Sequence, residues 1–198
     1  LEPGRAFTQY ARVDGEAVAW VVSAAPKDKF ELYQWWFPIV GPVPYKGFFE
    51  KPDAVEEARK LERDDYETWV RGTEAFSTLG WFDDPVLSTT LQHSIPHIAN
   101  TVLHESLHTT VWIPNYVDFN ESLANYIGFR ASIDFFKRRL ARCNEHHAAA
   151  ESPEACQARE GENLASAERA LKRELAISDG LAHVYEELSA LYASDVSR

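Results

Sequence analysis

Residues 102–112, VLHESLHTTVW, decide how this chain is read. In a helix, residues four apart lie one turn above each other on the same face, so His104 and His108 can aim both imidazoles at one point. Zinc accepts imidazole nitrogen at about 2.0–2.1 Å. Glu105, beside the first histidine, can lean over the open side of such an ion and take a proton from water, which is the mechanical content of HExxH. Thr101, Val102, Leu103, Leu107, Val111 and Trp112 give the motif a largely apolar surround, and Ile113 and Pro114 are expected to end the helix.

A hydrolytic zinc site wants a third protein ligand and one open position. The metzincin pattern would place Gly and His where this chain has Val111 and Pro114, so that class is excluded. Downstream stands FNESLANYIGF, in which Asn120 and Glu121 are expected to open a second helix after the short break IPNYVD. An Asn-Glu pair at the head of a helix following HExxH is the thermolysin-like, or gluzincin, solution, with Glu121 as third ligand. The competing reading is a first-turn acid favoured only by the helix dipole. Asn125, one turn beyond Glu121, or Asp118 could orient a ligand histidine.

Working outward, the first fifty residues read as sheet. EAVAWVVSAA and ELYQWWFPIV are rich in β-branched and aromatic residues and flank the turn-like PKDKF, which predicts a hairpin. GPVPYKG predicts a departure from regular structure. Asp53 is the expected N-cap of a helix through AVEEARKLERD, with Val55, Ala58 and Leu61 at helical spacing. DYETWVRGTEAFSTLGWF reads as one or two strands, and from Pro85 the pattern is helical almost to the end, closing with a stripe of Leu164, Ala167, Leu171 and Leu175. The expected class is α+β: a single domain over 1–198, sheet-rich in 1–82 and helical in 83–198.

Composition narrows the function classes. With 45% hydrophobic residues, 6 Trp, 8 Tyr and 11 Phe, the chain should fold. Its net charge of -11 and lack of a basic stripe argue against nucleic acid as a partner. No apolar run approaches the roughly 20 residues needed to span a bilayer. The chain begins with Leu1 and contains no Met, so an initiator, with or without a targeting segment, is expected to have been removed. Cys143 and Cys156 flank a polar turn containing Pro153; a bridge there would suit an exported protein, and two thiols a cytosolic one. A metal site of Cys143, His146, His147 and Cys156 fits no established zinc spacing well.

The chain resembles the bacterial putative aminopeptidase family, through FPIVGPVPYKGFF (37–49), AFSTLGWFDDPVLST (75–89), LHESLHTTVW (103–112) and FNESLANY (119–126). Together these cover most of 15–135, while the C-terminal third matches poorly. The resemblance implies a zincin-like fold, a zinc ion held by His104, His108 and Glu121, Glu105 as general base, peptide substrates cleaved as by an aminopeptidase, and an exported, periplasmic or lipid-anchored setting. It leaves the oligomeric state open.

Other residues receive secondary expectations. Tyr185, His183 and Tyr116 are candidates for an extra oxyanion donor. Residues 75–82 could form an edge strand for substrate, or simply a strand with Trp81 and Phe82 in the core. Asp83 and Asp84 could hold an α-amino group or cap the helix near Pro85. His93 and His97 also stand four apart, but Pro96 is expected to spoil helix between them. Against the peptidase reading stands a zinc-containing binding or scaffolding protein without turnover, which would need a closed fourth ligand. A third reading, a two-histidine protein without metal, requires unrelated partners for His104 and His108.

Overall fold

The computed structural model describes residues 7–15, 17–38, 40–73, 85–144 and 152–194. The chain is α+β, with small sheets first and a helical body after them. In order, the elements are β1 (Tyr10–Ala11), β2 (Ala19–Pro26), β3 (Trp35–Phe37), β4 (Gly41–Val43), β5 (Lys46–Phe48), α1 (Lys51–Arg63), β6 (Tyr66–Thr73), β7 (Val86–Leu87), a 3-10 turn (Thr90–Gln92), α2 (Ile95–His108), α3 (Val117–Arg142) and α4 (Pro153–Ala193). Among the described residues no helix is long and apolar enough to cross a membrane.

The main sheet has the order β5-β2-β6 and is antiparallel throughout. Alternation along β2 sorts its side chains between two faces. Val22 and Ala24 point to α1 and pack with Ala54, Ala58, Leu61 and Trp35 in one apolar core. Val21, on the opposite face, lines a cleft shared with the helical body.

The predicted hairpin does not form. β2 pairs with β5 and β6, whereas β3 pairs with β4. Burial of Trp35 accounts for this: its indole lies in the α1 core and donates to Glu57 Oε1 at 3.1 Å, which draws the segment onto the face of α1, so that the Tyr33 N–H still reaches the Ala24 carbonyl at 2.8 Å but no ladder with β2 follows. GPVPYKG likewise contains β4 and the start of β5; Pro42 is tolerated because β4 pairs on one side only. α1 starts at Lys51 with Glu50 as N-cap and Pro52 in the first turn, so Asp53 sits inside the helix rather than capping it. Beyond Pro85 the chain first makes β7, parallel to β1, and the 3-10 turn.

The helices form a second core around Ile133, Phe136 and Ala167, with Leu164 and Leu171 packed against it. Leu175 is 54% exposed, so the predicted stripe on α4 is buried only in its N-terminal half. Cys143 at the end of α3 is bridged to Cys156 in the first turn of α4, which pins the corner between the two helices. Ser152 caps α4, its hydroxyl accepting from the Ala155 N–H.

Candidate metal centre

His104 and His108 occupy the last turns of α2, with Nε2 atoms 3.2 Å apart. Pro96 stands in the first turn of this helix, where its missing N–H is harmless, so it starts α2 instead of breaking it. The helix stops at His108, earlier than Ile113 and Pro114 suggest. α3 starts at Val117, which places Asn120 and Glu121 just beyond its first turn.

The turn between α2 and α3 is fixed by three contacts. The buried Asn120 side chain holds Ile113 from both sides, Oδ1 accepting from its N–H at 3.0 Å and Nδ2 donating to its carbonyl at 2.8 Å. Asn115 takes a left-handed φ of 69° and donates its N–H to the Val40 carbonyl at 3.2 Å, tying the turn to the β3–β4 loop. Gly41, itself at φ 86°, lies so close to Asn115 that a Cβ there would meet Oδ1 at 2.1 Å. Farther along, Gly128 lets α3 approach the backbone of Asn100 and the Cβ of His104. Glu121 is thereby delivered to the histidine face, with Oε2 3.5 Å from His104 Nε2 and 3.6 Å from His108 Nε2.

These separations are long for hydrogen bonds and short for a shared ion. Atoms 3.2, 3.5 and 3.6 Å apart have a common point about 2.0 Å from each, close to the roughly 2.0–2.2 Å that zinc takes to imidazole nitrogen or carboxylate oxygen. The donor set therefore fits a metal ion, and among the described residues these three alone converge in this way. His108 is 5% exposed and its Nδ1 has no hydrogen-bond partner, so its ring is aimed by packing against Trp112, with centroids 5.5 Å apart. His104 has the Asn125 amide beside it, which favours its charged form.

The electrostatics follow the same grouping. Burial alone would raise the Glu121 carboxyl, but the His104 and His108 rings hold it down at about 2. For His104, burial lowers the imidazole, and Glu121, Glu105 and Asn125 more than offset this to raise it. Tyr45 is pushed up to about 12 by burial first and by the Glu121 charge second, so its hydroxyl stays protonated and able to donate.

The three donors and Glu105 open into a cleft of about 560 Å³ between α2, α3 and the main sheet. Tyr45 and Arg71 line its sheet side. Sequence reasoning missed both because neither belongs to a local motif; only strand pairing brings them opposite α2. The expected donors lie elsewhere: Tyr185 and His183 are exposed on α4, against Phe30 and Glu187 respectively, and Tyr116 is 64% exposed. Asp118 is exposed in the first turn of α3, whereas Asn125 lies near enough to His104 to favour its charged form. His93 and His97 have ring centroids 4.4 Å apart and join no described cluster of three metal-binding groups. The bridge removes Cys143 and Cys156 as thiolate ligands. Residues 75–84 and His146 and His147 lie outside the described residues.

All of the chain, residues 1–198, matches the family model described as "Putative aminopeptidase". No curated protein and no solved structure matches.

Proposed function

Because the chain belongs to the putative aminopeptidase family, we propose that it is a zinc-dependent metallopeptidase of the gluzincin type that hydrolyses peptide bonds as an aminopeptidase. The observation that carries this is the convergence of His104, His108 and Glu121 on one point beside Glu105 in the cleft. His104, His108 and Glu121 would hold the ion. Bound zinc would supply Lewis acidity and lower the pKa of a water to about 7.

The remaining work falls to the chain's own residues. Glu105 takes the proton of the attacking water and passes it to the leaving amine, the general-base and general-acid halves of one cycle. Tyr45, protonated and aimed into the same cleft, donates a hydrogen bond to the oxygen on which charge develops. Asn125 stands beside the His104 ring and favours its charged form, and the apolar wall of Val21, Phe37, Val43 and Trp112 thins the water around the reacting groups. An exported setting agrees with the Cys143–Cys156 bridge. The rival reading, a zinc-binding protein without turnover, would be favoured by a fourth ligand closing the site; the described residues bring only three together.

Elemental analysis of purified wild type and Glu121→Ala at neutral pH tests the site. About one zinc per chain is expected in wild type and little in the variant. Glu105→Gln should keep the metal and lose about a hundredfold or more in kcat on peptide substrates. Equal metal in wild type and Glu121→Ala would remove Glu121 from the site, and wild type that takes up no zinc would end the peptidase reading.

A further inference from the structure

The wall facing the metal-binding helices is one face of the main sheet. Strand register sets Gly47, Val21 and Arg71 in a row across β5, β2 and β6. Directly opposed residues in an antiparallel sheet project to the same side, and all three line the cleft. Thr73, two residues beyond Arg71, shares that face and the cleft. Gly47 contributes no side chain, and a Cβ there would meet nothing within 4 Å, so the row is open at one end and charged at the other.

Arg71 is the only lysine or arginine among the described residues that line the cleft, and the only acids there are Glu105 and Glu121. It forms no ion pair among the described residues. Its guanidinium lies 5.6 Å from the centre of the Trp69 ring, a contact that steadies the plane while leaving the donor edge available. Arg71 and Thr73 also line a second depression with His104, Glu105, Asn100 and Asn125, so the guanidinium stands where two approaches to the candidate metal site meet. An exposed guanidinium on the wall of the cleft presents the planar fork of donors that a carboxylate accepts bidentately.

We propose that Arg71 anchors a substrate carboxylate, so that the cleft selects short peptides by their free C-terminus. This rests on the peptidase reading for the nature of the substrate, but not on zinc for the contact itself. An acidic side chain offers the same chemistry, and the experiment separates the two sources.

The test uses the full chain and four matched tripeptides: a free acid and a C-terminal amide, each with Glu or Gln in the middle. Binding is measured calorimetrically on Glu105→Gln protein with Arg71, Arg71→Ala or Arg71→Lys, and kcat/KM on the same Arg71 series with Glu105 intact. Amidation is expected to weaken binding to the Arg71 protein about tenfold or more. Arg71→Ala should bind acid and amide alike, and Arg71→Lys should keep part of the preference. A loss on Glu-to-Gln exchange in place of amidation would assign the anchor to a side-chain carboxylate. Zinc content and melting temperature of Arg71→Ala equal to those of the parent show that only the contact is lost.

Equal binding of all four peptides to the Arg71 protein, no binding of any, or a preference that survives Arg71→Ala would each overturn the anchor. Arg71-dependent binding without hydrolysis would end the peptidase reading and leave the anchor standing. Hydrolysis indifferent to carboxylates would do the reverse.

Discussion

Gly128 shows how one missing methyl group can set a candidate metal site. A Cβ there would meet Asn100 Oδ1 at 2.8 Å, the Asn100 carbonyl oxygen at 3.1 Å and His104 Cβ at 3.2 Å. The last two belong to the rigid body of α2, so relief must come from α3 moving outward and carrying Glu121 with it. Metal–ligand distances tolerate only about 0.2 Å. Gly128→Ala is therefore expected to weaken zinc binding at least tenfold, the scale of losses when a ligand's support is disturbed, while costing about 1–3 kcal/mol of stability. Competition against a chelator of known affinity measures the first and urea unfolding the second. Zinc affinity equal to wild type would show that the helices absorb the methyl without moving Glu121. Asn120 offers a parallel lesson: the Asn-Glu pair is plain in the sequence, but its hold on both backbone groups of Ile113 is not, because the partner lies across a turn of unknown shape.

At the scale of elements, α3 and α4 are joined by charge as well as by the bridge. Glu160 on α4 is 1% exposed and accepts from Arg139 on α3 at 2.7 Å and from Arg159 at 2.9 Å. The Arg139 guanidinium first, against the cost of burial and with help from Arg159 and Asn163, lowers its carboxyl from 4.5 to about 2. A depressed carboxyl stabilises the fold in full above its unfolded value and loses that contribution as pH falls toward the folded value. Both arginines are about half exposed, so screening reduces the charge-dependent part to about 1–2 kcal/mol. Glu160→Gln should thus be less stable than wild type at pH 7, and the gap should narrow between pH 4.5 and 2. Urea unfolding at pH 7, 4 and 3 gives the comparison; a gap that does not change with pH would assign the loss to packing or neutral hydrogen bonds. The helices were legible in the sequence because their periodicity is local, as Ala58 and Leu61 in α1 and Leu164 and Ala167 in α4 show. Strand partners were not, since the choice of β6 over β3 for β2 turns on the burial of Trp35 against α1, and the pattern of β3 itself does not tell which element will cover that indole. Pro96 misled for a related reason: a proline forbids helix before itself but favours it after, and only the position of Ser94 as N-cap tells which applies.

At the scale of the whole molecule, the candidate site lies between two separately packed cores, one of sheet and α1, the other of α2, α3 and α4. All three candidate donors are carried by α2 and α3, helices of the second, so an ion held there should stabilise the helical body directly. Zinc at a hundred times its dissociation constant would add about 2.7 kcal/mol to a chain that binds it only when folded. A rise in melting temperature with zinc, reversed by chelator, is expected for wild type and Glu105→Gln and should be greatly reduced in Glu121→Ala; equal rises in all three would place the ion elsewhere. Hydrogen exchange should show the added protection mainly in Ile95–Arg142. The split between cores also explains what the sequence concealed about the cleft. His104, Glu105, His108 and Glu121 stand within one helical hairpin and could be read from spacing, whereas Tyr45 and Arg71 face them only after the sheet has formed and met the helices.

The hairpin carries a kinetic consequence. His104, His108 and Glu121 are joined by a short turn whose closure costs little chain entropy, and the Asn120–Ile113 contacts that shape it are near in sequence, the Asn115–Val40 bond to the sheet part being added later. Local contacts of this kind form early, ahead of the distant pairing of β2 with β6. During folding the candidate donors can therefore gather before the wall bearing Arg71 exists, so, on the proposed reading, a nascent chain could capture an ion while the cleft is still unbuilt.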